Sequence, residues 1–548
     1  MSSAIYYSKN AFRVEKFKTY GRQVAGNDFL QAYCKTNKCS QFWVYAKTTE
    51  EANDFKHFVN SNGINKVIKF INFENTSALK EPGLLFFPGP DIAELSRNRS
   101  FFTSDSWSIC GVTHTTSSAR VMKSIEAMVT SPLTPWDALI CTSQSVKSNV
   151  LKIIEVTENN LRHKLGAKFF VRPQLPVIPL GIDTSSFNFN DHDKTKARIK
   201  LGIQKDEVVV LYLGRLSFHS KANPFPMYKA LESTRHKTKR KIVLIECGWY
   251  ANDQLKNAFS KAANYLCPSI RVLRVNGNDH EIKNNSLAAA DIFCSLSDNI
   301  QETFGITPIE AMASGLPCIV SDWNGYKDTI RDGIDGFRIP SIMPSEGYGN
   351  DLAFRYALEI DTYDMYIGHT SNLISIDINR TASAFTKLVD NHKLRNEMGK
   401  NAKKRCKNEY DWNNVINKYT NLWTNLHQIR KTSIDELTFY KSADRLDPFL
   451  SFSKYSTSTL TDKKIISLKS QENNNLERKL KEIKELLMIN YASYVIPDEK
   501  FLIRFLDDIN KNKKSIKEIK QSYRDLNYAY LIRSIMWLYK FDFIEIDD

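Results

Sequence analysis

The sequence predicts an α/β protein of two doubly wound domains in tandem, followed by a mainly helical extension. The chain has 548 residues, and domains usually hold about 100–200, so roughly three are expected. From about residue 20 to residue 430, short apolar runs rich in β-forming residues alternate with longer amphipathic stretches. This alternation is typical of parallel sheets with helices on both faces. It ends after Trp412, where polar and charged residues become frequent.

The predicted strands and helices divide into two groups. The strands lie at 41–46, 83–87, 138–141, 208–213, 241–246, 270–275, 292–295 and 318–321. The helices include 48–59, 143–154, 227–234, 253–263 and 308–313. These are too many strands for one conventional open sheet, and residues 177–183 indicate a connection. We therefore predict a first domain over 1–180, a second over 181–385, helices at 386–430 that pack back on both, and an extension over 431–548.

The extension has several parts of different character. Residues 431–462 indicate a linker or irregular strap, residues 463–490 have helical periodicity, and residues 499–548 indicate two or three short helices with a terminal strand or hairpin. Residues 515–520 and 532–538 with the tail resemble a small winged-helix arrangement. The extension has 21 basic and 19 acidic residues, so it lacks the basic footprint of nucleic-acid binding. We expect internal packing or a protein partner there, and not a nucleic acid.

The charge is concentrated in the first 430 residues. The whole chain has 76 Lys and Arg against 61 Asp and Glu, and the first 430 residues carry a net +13 of the total +15. A basic surface attracts nucleic acid, anionic lipid or phosphorylated small molecules, and charge alone does not choose among them. No apolar run approaches the ~20 residues of a membrane span, and Met1 to Tyr7 lacks a signal-peptide pattern. Nine cysteines without a Cys-x-x-Cys pair argue against a disulfide framework or a zinc site. We expect a cytoplasmic protein whose basic surface permits peripheral contact with the inner face of the membrane.

The segment from Glu302 to Pro317 gives the strongest chemical signal. Gly305 precedes a predicted helix whose first turn contains Pro308, a favoured early helix position. Glycine permits close backbone approach, and the free amides of a helix N-terminus attract phosphate. Glu302 precedes this turn and Glu310 lies inside the helix, so both carboxylates can border one cleft. Taken alone, the E-x7-E spacing favours a capped core helix with two surface glutamates.

Two cations follow the predicted strand at 208–213. Arg215 comes directly after Gly214, and Lys221 follows six residues later. An arginine fork and a lysine point charge suit a diphosphate. Such a pair is more often surface charge, but the glutamate segment about 90 residues later favours a diphosphate site.

These segments, with residues 289–293 and 321–337, resemble the retaining GT-B glycosyltransferases of family four. That group includes sucrose-synthase-like enzymes and bacterial mannosyl- and glucosyltransferases. The similarity covers about residues 15–430. It implies a GT-B fold, in which two Rossmann-like domains enclose a cleft, with the donor mainly on the second domain and the acceptor facing it from the first.

The resemblance also implies roles for individual residues. Arg215 and Lys221 would hold the nucleotide diphosphate, Glu302 would contact hydroxyls of the donor sugar, and Glu310 would bind the ribose. Backbone amides would approach the sugar and phosphates at Gly305, Ile306 and Thr307.

Two features of the first domain resemble the family as well. Residues 19–30 are similar to its first glycine-rich loop, and we expect Gly26 to bring the backbone close to the donor phosphate. The segment is neither a Walker loop nor a Rossmann fingerprint, and an ordinary strand–helix turn is the alternative. His114, at the end of a strand-like segment, matches the family's cleft histidine near the donor sugar, so we count it with Glu302 as catalytic. An isolated histidine would more often be a satisfied core or surface residue.

The implied reaction is transfer of a hexosyl group from a nucleotide diphosphate sugar to an acceptor hydroxyl, with retained anomeric configuration. UDP-glucose is the leading donor, and the acceptor is a glycan, a lipid-linked saccharide or a protein. Retaining enzymes of this class are thought to use front-face attack, which needs no protein nucleophile. We expect no cofactor and no metal: Asp191-His192-Asp193 resembles a metal motif of another fold, but we expect a solvated loop there. The alternatives are an inverting GT-B transferase, a nucleotide-sugar epimerase, or a non-catalytic binding role in the extension.

Overall fold

Two parallel six-stranded sheets form the frame of the protein, which confirms the predicted fold class. The computed structural model describes residues 3–13, 21–37, 39–433, 442–469 and 475–547. The chain divides into two compact units, Met1–Ser442 and Ala443–Asp548. Both sheets belong to the first unit. Within the described ranges, no helix combines the length and the apolar character needed to cross a bilayer.

The first sheet lies in the N-terminal domain. Its strands are β1 (Ala4–Tyr6), β2 (Gln41–Ala46), β3 (Val67–Asn72), β4 (Leu84–Phe86), β5 (Ser108–Val112) and β6 (Ala138–Ile140). They pair in the parallel order β3-β2-β1-β4-β5-β6. The helices are α1 (Lys9–Phe12), α2 (Gly21–Thr36), α3 (Thr49–Ser61), α4 (Ile92–Arg99), α5 (Ala119–Ala127) and α6 (Gln144–Leu165), with a 3-10 helix at Phe73–Lys80. Near-continuous apolar strands are expected when helices cover both faces.

The second sheet repeats this plan. Its strands are β7 (Val208–Leu213), β8 (Ile242–Gly248), β9 (Arg271–Asn276), β10 (Ile292–Ser295), β11 (Cys318–Ser321) and β12 (Gly336–Ile339). They pair in the parallel order β12-β11-β10-β7-β8-β9. After a 3-10 helix at Thr184–Phe187, the helices are α7 (Asp191–Lys200), α8 (Phe225–Lys237), α9 (Asp253–Leu266), α10 (His280–Ala289), α11 (Ile306–Ala313) and α12 (Tyr326–Thr329).

An insertion, residues 341–376, leaves the second domain after β12. It consists of β13 (Ser341–Ile342), α13 (Asn350–Ala357), α14 (Tyr363–Ser371) and β14 (Ser375–Ile376). The two short strands pair antiparallel, Ser341 with Ile376 and Ile342 with Ser375, so they close the base of the insertion.

Three helices follow the insertion: α15 (Ile378–Asp390), α16 (His392–Glu409) and α17 (Trp412–Thr432). The last of them returns to the N-terminal domain. Trp412, Tyr419 and Trp423 lie in the apolar core beneath the first sheet, where their rings pack against Phe29 and Phe86. Burial of large aromatic side chains supplies much of a core's stability. The helix therefore fastens the end of the second domain to the first.

The second unit has its own core. After a 3-10 helix at Ala443–Arg445 come α18 (Pro448–Ser451), β15 (Ile465–Leu468), α19 (Leu476–Lys484), α20 (Leu487–Asn490), a 3-10 helix at Ser493–Val495, α21 (Glu499–Lys511), β16 (Lys514–Ser515), α22 (Ile516–Ser522), α23 (Tyr528–Lys540) and β17 (Ile544–Asp547). The antiparallel sheet has the order β16-β15-β17. The run from α21 to β17 has the helix–strand–helix–helix–strand order of a winged helix, but the third strand precedes it in the chain. The predicted terminal strand is present.

Three local predictions are wrong. Residues 463–490, predicted to be helical, begin with the strand β15. Asp191 and Asp193 do not lie in a loop but in the first turn of α7, where Asp193 and Asn190 cap each other's backbone amides. The expected glycine-rich loop at 19–30 is the helix α2 from Gly21 onward, and residues 19 and 20 lie outside the described residues.

Gly26 is a helix-packing residue in this fold. A Cβ atom at Gly26 would lie 2.3 Å from the carbonyl oxygen of Ala11, so the glycine lets α2 pass close to α1. The donor-binding role expected for Gly26 depended on a loop conformation that the residue does not have.

Candidate active site

A cleft of about 990 Å³ opens between the two domains of the first unit. The second domain lines it with residues that follow β7 and β8 and with the segment from Gln301 to Glu310. The first domain contributes six lining residues: Asn10, Gln23, Val24, His114, Thr115 and Leu180. Ligands of open α/β sheets bind in crevices beyond the carboxyl ends of the strands. The cleft has this position relative to the second sheet.

The predicted diphosphate residues and the first glutamate meet in this cleft. The Lys221 ammonium donates to Glu302 Oε2, and both side chains are mostly buried. Burial disfavours the carboxylate, but Lys221 and the amides of Thr303 and Phe304 outweigh it and lower the pKa of Glu302. Glu302 is therefore a carboxylate fixed in its ionised form.

Arg215 lies in the same loop as Lys221. The Arg215 guanidinium donates to the backbone carbonyl of Ser220 at 3.2 Å. The backbone carbonyl of Arg215 accepts a hydrogen bond from Tyr212 Oη at 3.0 Å. Gly214 before it has φ +146°, a conformation that side chains disfavour. The loop thus holds both cations on one wall of the cleft.

Glu310 has a partner that the sequence did not reveal. Lys283, on α10, donates to Glu310 Oε1 at 2.7 Å, and both residues line the cleft. Asp28, on α2 of the first domain, lies near this pair: burial raises its pKa, the charge of Glu310 adds to the effect, and Lys283 opposes it. The ammonium of Lys283 is therefore close to two carboxylates, one from each domain, of which Glu310 lines the cleft.

The helix α11 begins at the cleft as the sequence predicts. Gly305 is its N-cap, with φ +90°, and a Cβ atom there would lie 2.2 Å from the ring of Tyr326. The first backbone amides of a helix have no partner within it, so those of Ile306 and Thr307 are free to bind an anion. The tight packing at Gly305 fixes the position of these amides.

Three buried polar atoms of the cleft are unsatisfied. Gln23 Oε1, Thr307 Oγ1 and Glu310 Oε2 have no hydrogen-bonding partner within the described residues, and all three belong to residues that line the cleft. A buried polar atom without a partner costs about 1–3 kcal/mol, so groups of this kind are usually satisfied. Their clustering in one cleft points to a polar ligand that would supply the missing bonds.

His114 lies at the junction of the two domains. Its backbone carbonyl accepts a 2.7 Å hydrogen bond from Thr303 Oγ1, and it lines the cleft with Thr115. Thr303 is adjacent to Glu302, so this bond holds the loop after β5 against the loop that carries the first glutamate. The catalytic role expected for His114 stays a prediction.

The structure thus brings together all predicted site residues except Gly26: Glu302, His114, Arg215, Lys221, Gly305, Ile306, Thr307 and Glu310 all line the cleft. The sequence reasoning missed Gln23, Lys283, Tyr363 and Asp364. A lysine 27 positions before Glu310 on a separate helix has no local signal. Tyr363 and Asp364 belong to the insertion, which contains none of the motifs that carried the family resemblance.

The second domain matches a known family. Residues 193–345 match the family described as Glycosyl transferases group 1. This confirms the predicted similarity to glycosyltransferases at that level, over a segment that contains Arg215, Lys221, Glu302 and Glu310. Membership of the retaining family four stays a prediction.

Individual relatives are similar over part of their length. A D-inositol 3-phosphate glycosyltransferase of Nocardia farcinica is 29% identical over 170 residues, which cover 31% of this chain and 37% of that protein. A phosphatidyl-myo-inositol mannosyltransferase of Mycobacterium tuberculosis (strain CDC 1551) is 29% identical over 30% of this chain and 40% of its own length. The chain thus spans well under half the length of these relatives. Among solved structures, Anabaena HepE in complex with UDP aligns with a TM-score of 0.49 at 14% identity, over 78% of this chain and 100% of that one.

Proposed function

We propose that the protein is a retaining glycosyltransferase that moves a hexosyl group from a nucleotide diphosphate sugar to an acceptor hydroxyl. The observation that carries the proposal is the arrangement of the cleft. Two cations and a helix N-terminus lie on the same wall as Glu302 and Glu310. Buried polar atoms nearby have no hydrogen-bonding partner among the described residues. The group 1 match over the same segment supports it.

The donor's leaving group would bind at the cationic wall. An ammonium has three N–H donors, so Lys221 can hold Glu302 and a phosphate oxygen at the same time. Arg215 and the free amides of α11 would add further donors to the diphosphate. Charge that develops on the departing diphosphate is then stabilised by groups already in position.

The two glutamates would hold different parts of the donor. Glu302, ionised beside Lys221, would accept hydrogen bonds from hydroxyls of the donor sugar. Glu310 has one oxygen on Lys283 and a second oxygen without a partner among the described residues. That second oxygen can accept from a ribose hydroxyl. Retention would follow from front-face attack, in which the departing phosphate receives the acceptor proton and no side chain acts as nucleophile.

UDP-glucose is the donor we propose first, and the acceptor is a hydroxyl of a glycan, a lipid-linked saccharide or a protein. The two relatives described above are named for D-inositol 3-phosphate and for phosphatidyl-myo-inositol. Their diversity supports the reaction class and leaves the acceptor to experiment.

A donor panel tests the proposal. The full chain is incubated with UDP-, GDP- and ADP-sugars, and release of the nucleoside diphosphate is measured together with the anomeric configuration of the sugar product by NMR. We expect one donor to be cleaved with retention. Product with inverted configuration would indicate an inverting GT-B transferase, interconversion of donor sugars would indicate an epimerase, and no cleavage of any donor would contradict transfer.

The proposed reaction needs no metal, because fixed cations and helix amides neutralise the diphosphate. Activity should therefore survive excess EDTA. The Asp191→Ala and Asp193→Ala double variant should keep its activity for the same reason, since both residues lie in the first turn of α7 and do not line the cleft. Loss of activity on chelation, with recovery on adding Mn²⁺ or Mg²⁺, would overturn metal independence.

A further inference from the structure

The insertion at residues 341–376 is held together by contacts of its own. The β13–β14 pair closes its base. At its tip the carboxylate of Asp361, which is buried, accepts two hydrogen bonds from Arg355, at 2.9 and 2.8 Å. The rings of Tyr356 and Tyr366 stack with centroids 4.5 Å apart. These contacts join α13 to α14.

The insertion reaches across the cleft to the first domain. Tyr363 Oη and Ser117 Oγ are 2.8 Å apart, and the backbone amide of Ala119 donates to Tyr356 Oη at 3.0 Å. Ser117 follows His114 and Thr115 in the loop between β5 and α5, and Ala119 is the first residue of α5. The two tyrosines thus fasten the insertion to the loop that carries the predicted catalytic histidine.

The same insertion touches the cationic loop of the second domain. A Cβ atom at Gly368 would lie 3.2 Å from Cβ of His219, so α14 passes very close to the loop between Arg215 and Lys221. Helix α14 therefore contacts the histidine loop through Tyr363 in its first turn and the cationic loop through Gly368 in its second turn. Its residues Tyr363 and Asp364 line the cleft, and Asp364 is exposed.

We infer that Tyr363 and Asp364 form the acceptor wall of the cleft and select an uncharged saccharide over a sugar phosphate. The inference rests on the proposed function. An ionised carboxylate only accepts hydrogen bonds, which suits the hydroxyls of a sugar. A like charge nearby disfavours a phosphate. The insertion as a whole carries five carboxylates and one arginine, so no cation of its own beyond Arg355 would offset that repulsion, and Arg355 is paired with Asp361.

The test distinguishes an effect on acceptor binding from an effect on donor binding. On the full chain, nucleoside diphosphate affinity is measured by calorimetry, and transfer is measured to a panel of methyl α- and β-glycosides of hexoses and N-acetylhexosamines and to the matching hexose 6-phosphates. The variants are Asp364→Asn, Asp364→Glu and Tyr363→Phe. Asp351→Asn is the matched control, because Asp351 is an exposed carboxylate of α13 that does not line the cleft.

We expect the wild type to prefer methyl glycosides. Asp364→Asn should raise the acceptor KM at least tenfold and shift the nucleotide Kd less than twofold. It should also reduce the preference for methyl glycosides over hexose phosphates at least threefold. Asp364→Glu should keep that preference, Tyr363→Phe should raise the acceptor KM about threefold, and Asp351→Asn should match the wild type. Thermal unfolding confirms that each variant is folded.

Several results would overturn the inference. They are an unchanged acceptor KM in Asp364→Asn, an equal loss of nucleotide affinity and transfer, a wild type that prefers hexose phosphates, and a wild type that cleaves its donor but uses no methyl glycoside. A wild type that neither binds a nucleoside diphosphate nor cleaves any nucleotide sugar would instead contradict the proposed function.

Discussion

The two cations of the cleft should act on the diphosphate and not on the nucleoside. We expect Arg215→Ala or Lys221→Ala to weaken UDP binding by about 1–3 kcal/mol, because each removes a charged hydrogen-bond donor. Uridine should bind almost as it does to the wild type. Calorimetry with both ligands makes the comparison, and Lys256→Ala, an exposed lysine of α9, is the control. Equal losses for UDP and uridine would contradict the assignment.

The two glutamates should be separable by the same measurement. Glu302→Gln should depress the transfer rate strongly and leave UDP affinity nearly intact, because this carboxylate is proposed to contact the sugar. Glu310→Gln should weaken UDP about tenfold, or ~1.4 kcal/mol, because it is proposed to contact the ribose. Neither change removes core volume, so both variants should remain folded. If Glu302→Gln loses UDP affinity as badly as Glu310→Gln, the division of roles fails.

Asp298 gives a prediction about pH and stability. It lies in the loop after β10, and burial raises its pKa to about 7. Between about pH 4 and pH 7 the folded chain then holds a proton that the unfolded chain has lost, so stability falls as pH rises through this interval. Asp298→Asn should remove this contribution and raise the melting temperature at pH 8 relative to the wild type. A pKa difference of one between the folded and unfolded chain changes the free energy of unfolding by about 1.4 kcal/mol.

The measurement is thermal unfolding at pH 5 and pH 8 for both proteins. The variant should lose less stability between the two pH values than the wild type does. Asp253→Asn, at an exposed position in the first turn of α9, serves as the control. A variant with the same pH dependence as the wild type would show that Asp298 does not carry the effect.

At the scale of elements, the turn that begins α11 depends on a residue without a side chain. Gly305→Ala would place a Cβ atom 2.2 Å from the ring of Tyr326 at a φ of +90°. We expect lower stability and weaker UDP binding, because the helix amides would move. Gly333→Ala separates the causes: its φ is +73°, but no atom of the described residues lies within 4 Å of the added Cβ. It should cost only the backbone strain, about 1–2 kcal/mol, and leave UDP binding unchanged.

The alternation of apolar runs and amphipathic stretches was enough to predict most of the frame. The run at Val208–Leu213 is buried throughout and was predicted to the residue, because a short, uninterrupted apolar run rich in valine, bounded by polar residues and glycine, is typical of a buried strand. The strand Val67–Asn72 was missed, because it lies at the edge of its sheet and most of its residues are at least partly exposed. Without a buried face it shows neither a continuous apolar run nor a clear alternation.

The site was predictable where it is local in sequence. Gly305, Glu302 and Glu310 fall within nine residues, and together with Arg215, Lys221 and the family resemblance this local pattern was enough to predict the site. Tyr363 meets Ser117 across 246 positions of sequence, and no local pattern records such a contact. The prediction for Gly26 was wrong for a different reason. A glycine that suits a loop also suits close helix packing, and the sequence does not distinguish the two.

At the scale of the whole molecule, the two compact units should be separable. Residues 1–442 contain both sheets and their cores, and residues 443–548 have a core of their own built around Leu502, Phe505 and Leu531. We expect a chain that ends at Ser442 to unfold cooperatively and to bind UDP as the full chain does. Calorimetry and thermal unfolding of both proteins provide the comparison. Loss of UDP binding in a folded, shortened chain would show that the second unit contributes to the cleft.

The return of α17 has a mechanical consequence. The chain passes between the two domains twice, and the two crossings lie side by side: Ile182 donates to the carbonyl of Tyr410 at 2.8 Å and accepts from the amide of Trp412 at 3.1 Å. Two adjacent crossings joined by hydrogen bonds form a hinge. Such a hinge allows the two domains to rotate about one axis and resists their sliding or twisting past each other. If the domains swing, the first and second sheets can therefore approach or separate only along an arc centred on Ile182.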